Sequence, residues 1–221
     1  MEAPAGLWPF EARAAIFDFD GTLADTAHIW YEVDHVFLRR RNLEYPQGYG
    51  EQLAALGFEK GAQFTIDLFH LDETPQAICD EWNDIGSEMY RHDVTLRPGA
   101  ERYIRAVRAA GIPCALATTN DVGVLSSMEH IDVAALFDAC VYGAEVGKGK
   151  DEPDIYLEAA RRLGVDPRDC VVFEDIAIAV RSARSAGMRV CAVNSSDPTQ
   201  PIDQLRSSAD LWLDDWRDIA L

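Results

Sequence analysis

The sequence predicts an α/β protein, a doubly wound parallel-sheet Rossmann-like core with an inserted helical cap domain. Three observations carry that expectation. The segments RYIRAVRAAGIPCALA, IYLEAARRLGVDPRDCVVF and AVRSARSAGMRVCAV each run a helical pattern into a glycine and then a short apolar stretch. Gly111, Gly164 and Gly187 thus stand where a left-handed helix cap belongs. Four runs, 14–17, 114–117, 171–173 and 190–193, are apolar without alternation, as expected of strands covered by helices on both faces. Finally, residues 25–94 carry no strand signal, whereas a plain crossover needs only about a dozen residues.

Taken in chain order, AAIF supplies the first strand. The insertion reads as several helices: Trp30, Val33, Phe37 and Leu38 recur at helical spacing, as do Ile78, Trp82, Ile85 and Met89, with Pro46-Gln47-Gly48 and Thr74-Pro75 between them. The domains are therefore expected to be a core of 1–24 and 95–221 and a cap of 25–94. Five cations oppose fourteen carboxylates in the cap. CALA, the apolar-to-turn stretch 139–143, VVF and VCAV then continue the core, joined by right-handed crossovers. The C-terminal DLWLDDWRDIAL is expected to close it with a last strand and a turn of helix, its tryptophans packing rather than binding.

Of 221 residues, 48% are hydrophobic and 26% charged, which suits a folded chain with a sizeable core and excludes a disordered or collagen-like one. Twenty Lys and Arg face 38 Asp and Glu for a net charge of -18. Such a field repels phosphate backbones and anionic lipid, so neither nucleic acid nor membrane is an expected partner. Five cysteines without a CxxC pair suit reduced thiols in a cytosol, with Cys79 and Cys114 read as buried packing. No run reaches the ~18 apolar residues of a membrane helix, and MEAPAGLWPF lacks the basic start of a signal peptide. A cytoplasmic, unprocessed protein is expected.

In a doubly wound sheet, ligands bind beyond the carboxyl ends of the strands. AAIF is followed by Asp18-Phe19-Asp20-Gly21-Thr22, CALA by Thr118-Thr119-Asn120 and VVF by Glu174-Asp175, while VGKGKDEP contributes Lys148 and Lys150. Gathered in one crevice, four carboxylates require a cation, because two like charges 4 Å apart repel by about 4 kcal/mol at an effective dielectric of ~20. Oxygen ligands without a nearby His or Cys favour a hard ion such as Mg²⁺ over zinc. Asp18 and Asp20 are two apart on an extended backbone and so face one side, and Gly21 lets the chain turn away. A carboxylate nucleophile beside Mg²⁺, a lysine and hydroxyls suits phosphoryl transfer. The competing interpretation makes DxD a surface turn and Glu174-Asp175 a helix cap.

FDFDGTLADT, LATT, GKGKDEPDIY and VVFEDIAIA, in this order, resemble the four motifs of the haloacid dehalogenase superfamily, in its capped phosphatase and β-phosphoglucomutase-like branch. The likeness spans nearly the whole chain. It implies that Asp18 is a nucleophile forming an aspartyl-phosphate and that Asp20 first protonates the leaving oxygen and then activates water. By the same resemblance, Thr118 and the backbone near Thr119 and Asn120 hold the phosphoryl oxygens, and Lys150 stabilises the charge. Glu174 and Asp175 hold Mg²⁺ with Asp18 and the carbonyl of Asp20. True dehalogenases lack the second acid and the metal.

The sequence departs from the family pattern in places. Ile176 and Ala179 stand where many relatives have Ser and Gly, Asp151 where Pro usually follows the lysine, and Trp30 where many capped relatives carry a His. Lys60 falls where sugar-phosphate members place a basic residue toward substrate, or else it is a solvated lysine at a helix start. Arg39 to Arg41 are read as the exposed end of the first cap helix, where cations suit the helix dipole. The expected function is Mg²⁺-dependent hydrolysis of a small phosphorylated metabolite by a monomer whose cap opens and closes. An intramolecular phosphosugar mutase and a non-catalytic phosphate-sensing protein are the alternatives; the second would have lost a motif carboxylate or the lysine, and none is missing.

Overall fold

The computed structural model describes residues 7–8, 11–56, 58–195, 197 and 201–221, with the side chains of 51, 54 and 55 excepted. The opening segment read above for a leader lies mostly outside the described residues. The elements in chain order are β1 (Ala14–Phe17), α1 (Ala27–Arg40), α2 (Tyr49–Leu56), α3 (Phe58–Phe69), α4 (Pro75–Asp93), α5 (Ala100–Ala109), β2 (Cys114–Thr118) and α6 (Val122–Ser126). They continue with β3 (Ala139–Tyr142), α7 (Gly143–Val146), α8 (Asp154–Leu163), β4 (Cys170–Glu174), α9 (Ala177–Ser185), β5 (Arg189–Val193), α10 (Ile202–Ser208) and β6 (Leu211–Leu213).

Two compact units emerge. One comprises 1–25, 95–120 and 132–221, and the other comprises 26–94 together with 121–131. The segment 121–131, counted with the core in the sequence reading, packs with the inserted helices. Ser127 Oγ, just past α6, donates to the Ser87 carbonyl of α4 at 3.0 Å, and Gly86 leaves room for the Trp30 ring and Val124.

The first unit is built on one parallel six-stranded sheet in the order β3-β2-β1-β4-β5-β6. β1, β2 and β4 are buried along their whole length, which is why their sequences do not alternate. Gly111, Gly164 and Gly187 adopt positive φ after their helices, as a side chain there would resist. On one face, Phe17 and Phe173 stack at 4.6 Å, with Tyr103 and Trp216 against them. On the other, Ile16, Val172, Ile155, Tyr156 and the alanines of α8 and α9 form the core. The chain winds one way from β1 through β2 to β3 and the other way from β4 to β6. The direction changes at β1 and β4, and their carboxyl ends are where such a sheet binds ligands.

The helical unit buries Val33, Phe37 and Leu38 of α1 and Ile78, Trp82 and Ile85 of α4. Thr74 caps α4 by accepting from the Ala77 backbone N–H with proline in the first turn. The reading of Arg39 to Arg41 as one exposed cationic end needs correction at Arg41. Arg39 and Arg40 are exposed, but Arg41 is half-buried, donating from Nε and Nη2 to both Glu73 oxygens (2.9 and 2.7 Å) and from Nη2 to Glu81 (2.6 Å). Its guanidinium lies over the Phe37 ring. The acids that receive it are 32 and 40 residues away, beyond the reach of a helix-end argument. Cys114 is buried, while Cys79 is only half-buried, and burial pushes both thiols up, to about 12 and about 11.

Candidate active site

The stacked Phe17 and Phe173 lie directly opposite each other across β1 and β4, so both strands reach their carboxyl ends in register. The Asp18 N–H donates to the Phe173 carbonyl at 3.0 Å, extending the ladder by one step. Asp18 is thereby set beside Glu174, the last residue of β4, and Asp175. All three are buried, and each offers a carboxylate oxygen within 4.8 Å of the others.

Lys150 enters this group from the turn before α8. Its Nζ donates to Asp18 Oδ1 and to Glu174 Oε1 from a side chain 6% exposed. Burial alone would pull the ammonium down, but the two carboxylates more than offset it and Lys150 is raised. Burial pushes Asp18 well above the usual carboxylate range, against the opposing charge of Lys150. Asp175 is pushed up to about 8 by burial and by the charge of Glu174. One lysine against three carboxylates leaves two negative charges without a counter-charge, a deficit that a divalent cation with oxygen ligands would neutralise.

Gly21 allows the loop to pass under Asp175. Its φ is +79°, and a Cβ there would collide with the Asp175 carboxylate. Thr22 Oγ1 donates to Asp175 Oδ1 at 3.2 Å, and Arg97 Nη1 to the Gly21 carbonyl at 2.9 Å. Trp216 Nε1 donates to the Thr22 carbonyl at 3.0 Å. Across the loop, Asn120 Nδ2 donates to Asp20 Oδ2 at 2.9 Å, and the Asn120 N–H to Thr118 Oγ1 at 3.0 Å. Residues from the ends of β1, β2 and β4 and from the lysine turn therefore form one connected polar site.

The structure brings together Asp18, Lys150, Glu174 and Asp175, and links Asp20, Asn120 and Thr118. Thr119 lies on the same loop but is exposed. Lys60 is on α3 of the helical unit, also exposed. Asp151, a candidate competitor for the lysine, is exposed, and Lys150 turns to Asp18 and Glu174 instead. Ile176 precedes α9 without a side-chain cap. Sequence reasoning missed four residues: Thr22, Arg97, Tyr156 and Trp216. Thr22 and Tyr156 sit inside FDFDGTLADT and GKGKDEPDIY, and Arg97 opens the RPGA at the return to the core, whereas nothing local marks Trp216.

A family model described as haloacid dehalogenase-like hydrolase matches residues 15–193, which include all four strand-end motifs. The chain belongs to the haloacid dehalogenase superfamily. It is 35% identical over 185 residues to a probable pseudouridine-5'-phosphatase of Drosophila melanogaster, covering 80% of each protein. It is also 30% identical over 215 residues to the β-phosphoglucomutase of Bacillus subtilis, covering 91% of this chain and 92% of that one. Among solved structures, CbbY from Rhodobacter sphaeroides in complex with xylulose-(1,5)bisphosphate superposes with a TM-score of 0.78 at 24% identity, over 93% of this chain and 95% of that chain. This likeness establishes the shared fold, and the 30% identity to β-phosphoglucomutase over nearly the whole of both proteins places the chain in the β-phosphoglucomutase-like branch of the superfamily.

Proposed function

We propose that this protein is a Mg²⁺-dependent phosphomonoester hydrolase of a small phosphorylated metabolite, acting through an aspartyl-phosphate on Asp18. The observation that carries the reading is the buried group of Asp18, Glu174 and Asp175 with Lys150 as its counter-charge among the described residues. Asp18, Glu174 and Asp175, with the carbonyl of Asp20, would hold the ion. Once bound, it would offset the carboxylates and draw charge from the phosphoryl oxygens.

The chain's own residues perform the transfer. Asp18 attacks phosphorus while the ester P–O bond breaks, and Asp20, held by Asn120, gives its proton to the departing alkoxide. In the second half, Asp20 takes a proton from water, the water oxygen attacks phosphorus, and inorganic phosphate leaves Asp18 free again. Lys150 keeps Asp18 oriented and favours its ionised form against burial, and Thr118 with the backbone at Thr119 and Asn120 receives the phosphoryl oxygens. Lys60 is proposed as a substrate contact, in a cytoplasmic monomer. No helix among the described residues is long and apolar enough to cross a membrane.

A mutase reading is favoured by the β-phosphoglucomutase relative. Against it, Trp30 stands where the resemblance expects a histidine, and its indole N–H donates to the Tyr90 hydroxyl at 3.1 Å, so no proton carrier occupies that place. A panel of sugar phosphates, nucleoside monophosphates and phosphoglycolate, assayed for phosphate release with and without Mg²⁺, tests the proposal. Metal-dependent release that falls on the order of 10⁴-fold in Asp18→Asn is expected. Undiminished turnover in that variant refutes the covalent role, and movement of phosphate on a sugar without release supports the mutase.

A further inference from the structure

Both donors that reach Glu174 Oε1 come from one short piece of chain. Lys150 lies in the turn before α8 and Tyr156 in its first turn, six positions later. Tyr156 is buried, and its hydroxyl donates to Glu174 Oε1 at 2.7 Å. The other oxygen, Oε2, accepts the Asp175 backbone N–H at 3.1 Å. Glu174 is thus held from two sides, and what it holds in turn is the lysine.

We infer that Tyr156 is a positioning residue, which fixes the Glu174 carboxylate so that its Oε1 delivers Lys150 to Asp18. A carboxylate at the end of a strand has two side-chain torsions to turn about before its head group. With Lys150 as the sole partner of Oε1, the pair would swing together, because a flexible ammonium follows its counter-charge. A rigid aromatic carrying one hydroxyl, packed among Ile155, Ala159 and Ala160 of the core, removes that freedom. The lysine then points at Asp18 before any substrate arrives, and positioning of this kind supplies much of the rate in phosphoryl transfer. The inference rests on the phosphatase reading for its kinetic consequence and not for its structural one.

Two measurements on Tyr156→Phe, which keeps the ring and removes the hydroxyl, test it. In hydrolysis of p-nitrophenyl phosphate with saturating Mg²⁺, kcat is expected to fall about tenfold with KM within about twofold. The same change made in Lys150→Met is expected to cost nothing further, because Tyr156 acts through the lysine. Additive losses, or a lowered melting temperature with kcat per folded molecule unchanged, would assign Tyr156 a merely structural role and overturn the inference. Independently of turnover, the Lys150 ζ-nitrogen resonance in ¹⁵N-lysine-labelled protein is expected to shift in Tyr156→Phe, and an unmoved resonance overturns the inference. Wild-type protein inactive toward every ester tested would sink the phosphatase reading alone, leaving the lysine resonance to decide. Should Tyr156→Phe fail to fold, fluorotyrosine incorporated in the wild-type chain is expected to move that resonance, with the same opposite outcome.

Discussion

Two regions of this molecule bury carboxylates, and they do so under opposite conditions. At the strand ends, Asp18 and Glu174 share Lys150, Glu174 also takes Tyr156, and Asp175 takes Thr22. In the helical unit, Asp34 on α1 is 8% exposed, and among the described residues it has no hydrogen-bond or ion-pair partner. Its Oδ2 lies 3.7 Å from where a Cβ of Gly50 would stand, and burial alone raises it to about 7. On the very next residue, His35 Nε2 is likewise buried without a hydrogen-bond partner. The lesson concerns what makes a buried acid tolerable. At the strand ends each acid is answered by donors, although burial still raises Asp18 and Asp175, whereas Asp34 has no donor and is tolerated by keeping its proton.

Removing the answering cation should therefore do the most damage. Lys150→Met leaves Asp18 and Glu174 buried without their cation, and urea unfolding at pH 8 is expected to show a loss of about 3–5 kcal/mol. A loss near zero would mean that the acids are already protonated or hydrated, and the contrast between the regions would disappear. Next in size comes the lone acid. Folded Asp34 keeps its proton to about pH 7 where an ordinary aspartate loses it near 3.8. Between those values the folded chain binds more protons than the unfolded one, so stability falls as pH rises through that window. Asp34→Asn should accordingly gain ~4 kcal/mol at pH 8, the advantage shrinking toward pH 5. A pH-independent effect would show that Asp34 titrates normally. Smallest is Trp216→Phe, which strips the donor from the Thr22 carbonyl and should lower the urea midpoint by an amount equivalent to about 1 kcal/mol. An unchanged midpoint would show that water already serves that carbonyl.

The difference between the two regions also explains what could be read in advance. Strand-end motifs are legible because each depends on a short local rule. An apolar run ends, acidic or hydroxyl residues follow, and Gly21 appears where Asp175 leaves no space for a side chain. The strands themselves followed from burial on both faces, and Gly111, Gly164 and Gly187 from their positive φ. Partnerships made at long range left no such mark. Arg41 carries the same letter as the exposed Arg39 and Arg40, yet Glu73 and Glu81 draw it in. Asn120, whose backbone was expected to meet phosphate, gives its side chain to Asp20, 100 residues away, a pairing the sequence did not signal. Trp216 was assigned to packing, which its ring does against Phe17 and Phe173, but its N–H also steadies the loop that bears Asp20.

Periodicity and local composition were enough to establish a parallel sheet, a helical insertion and the chemical types that line the strand ends, because hydrophobic patterning and turn chemistry act over a few residues. Which donor answers which acid was decided only by the tertiary structure. Asp18, Asp34 and Asp175 are the same amino acid, and their charge depends on groups brought near from elsewhere in the chain, over distances that no local pattern encodes.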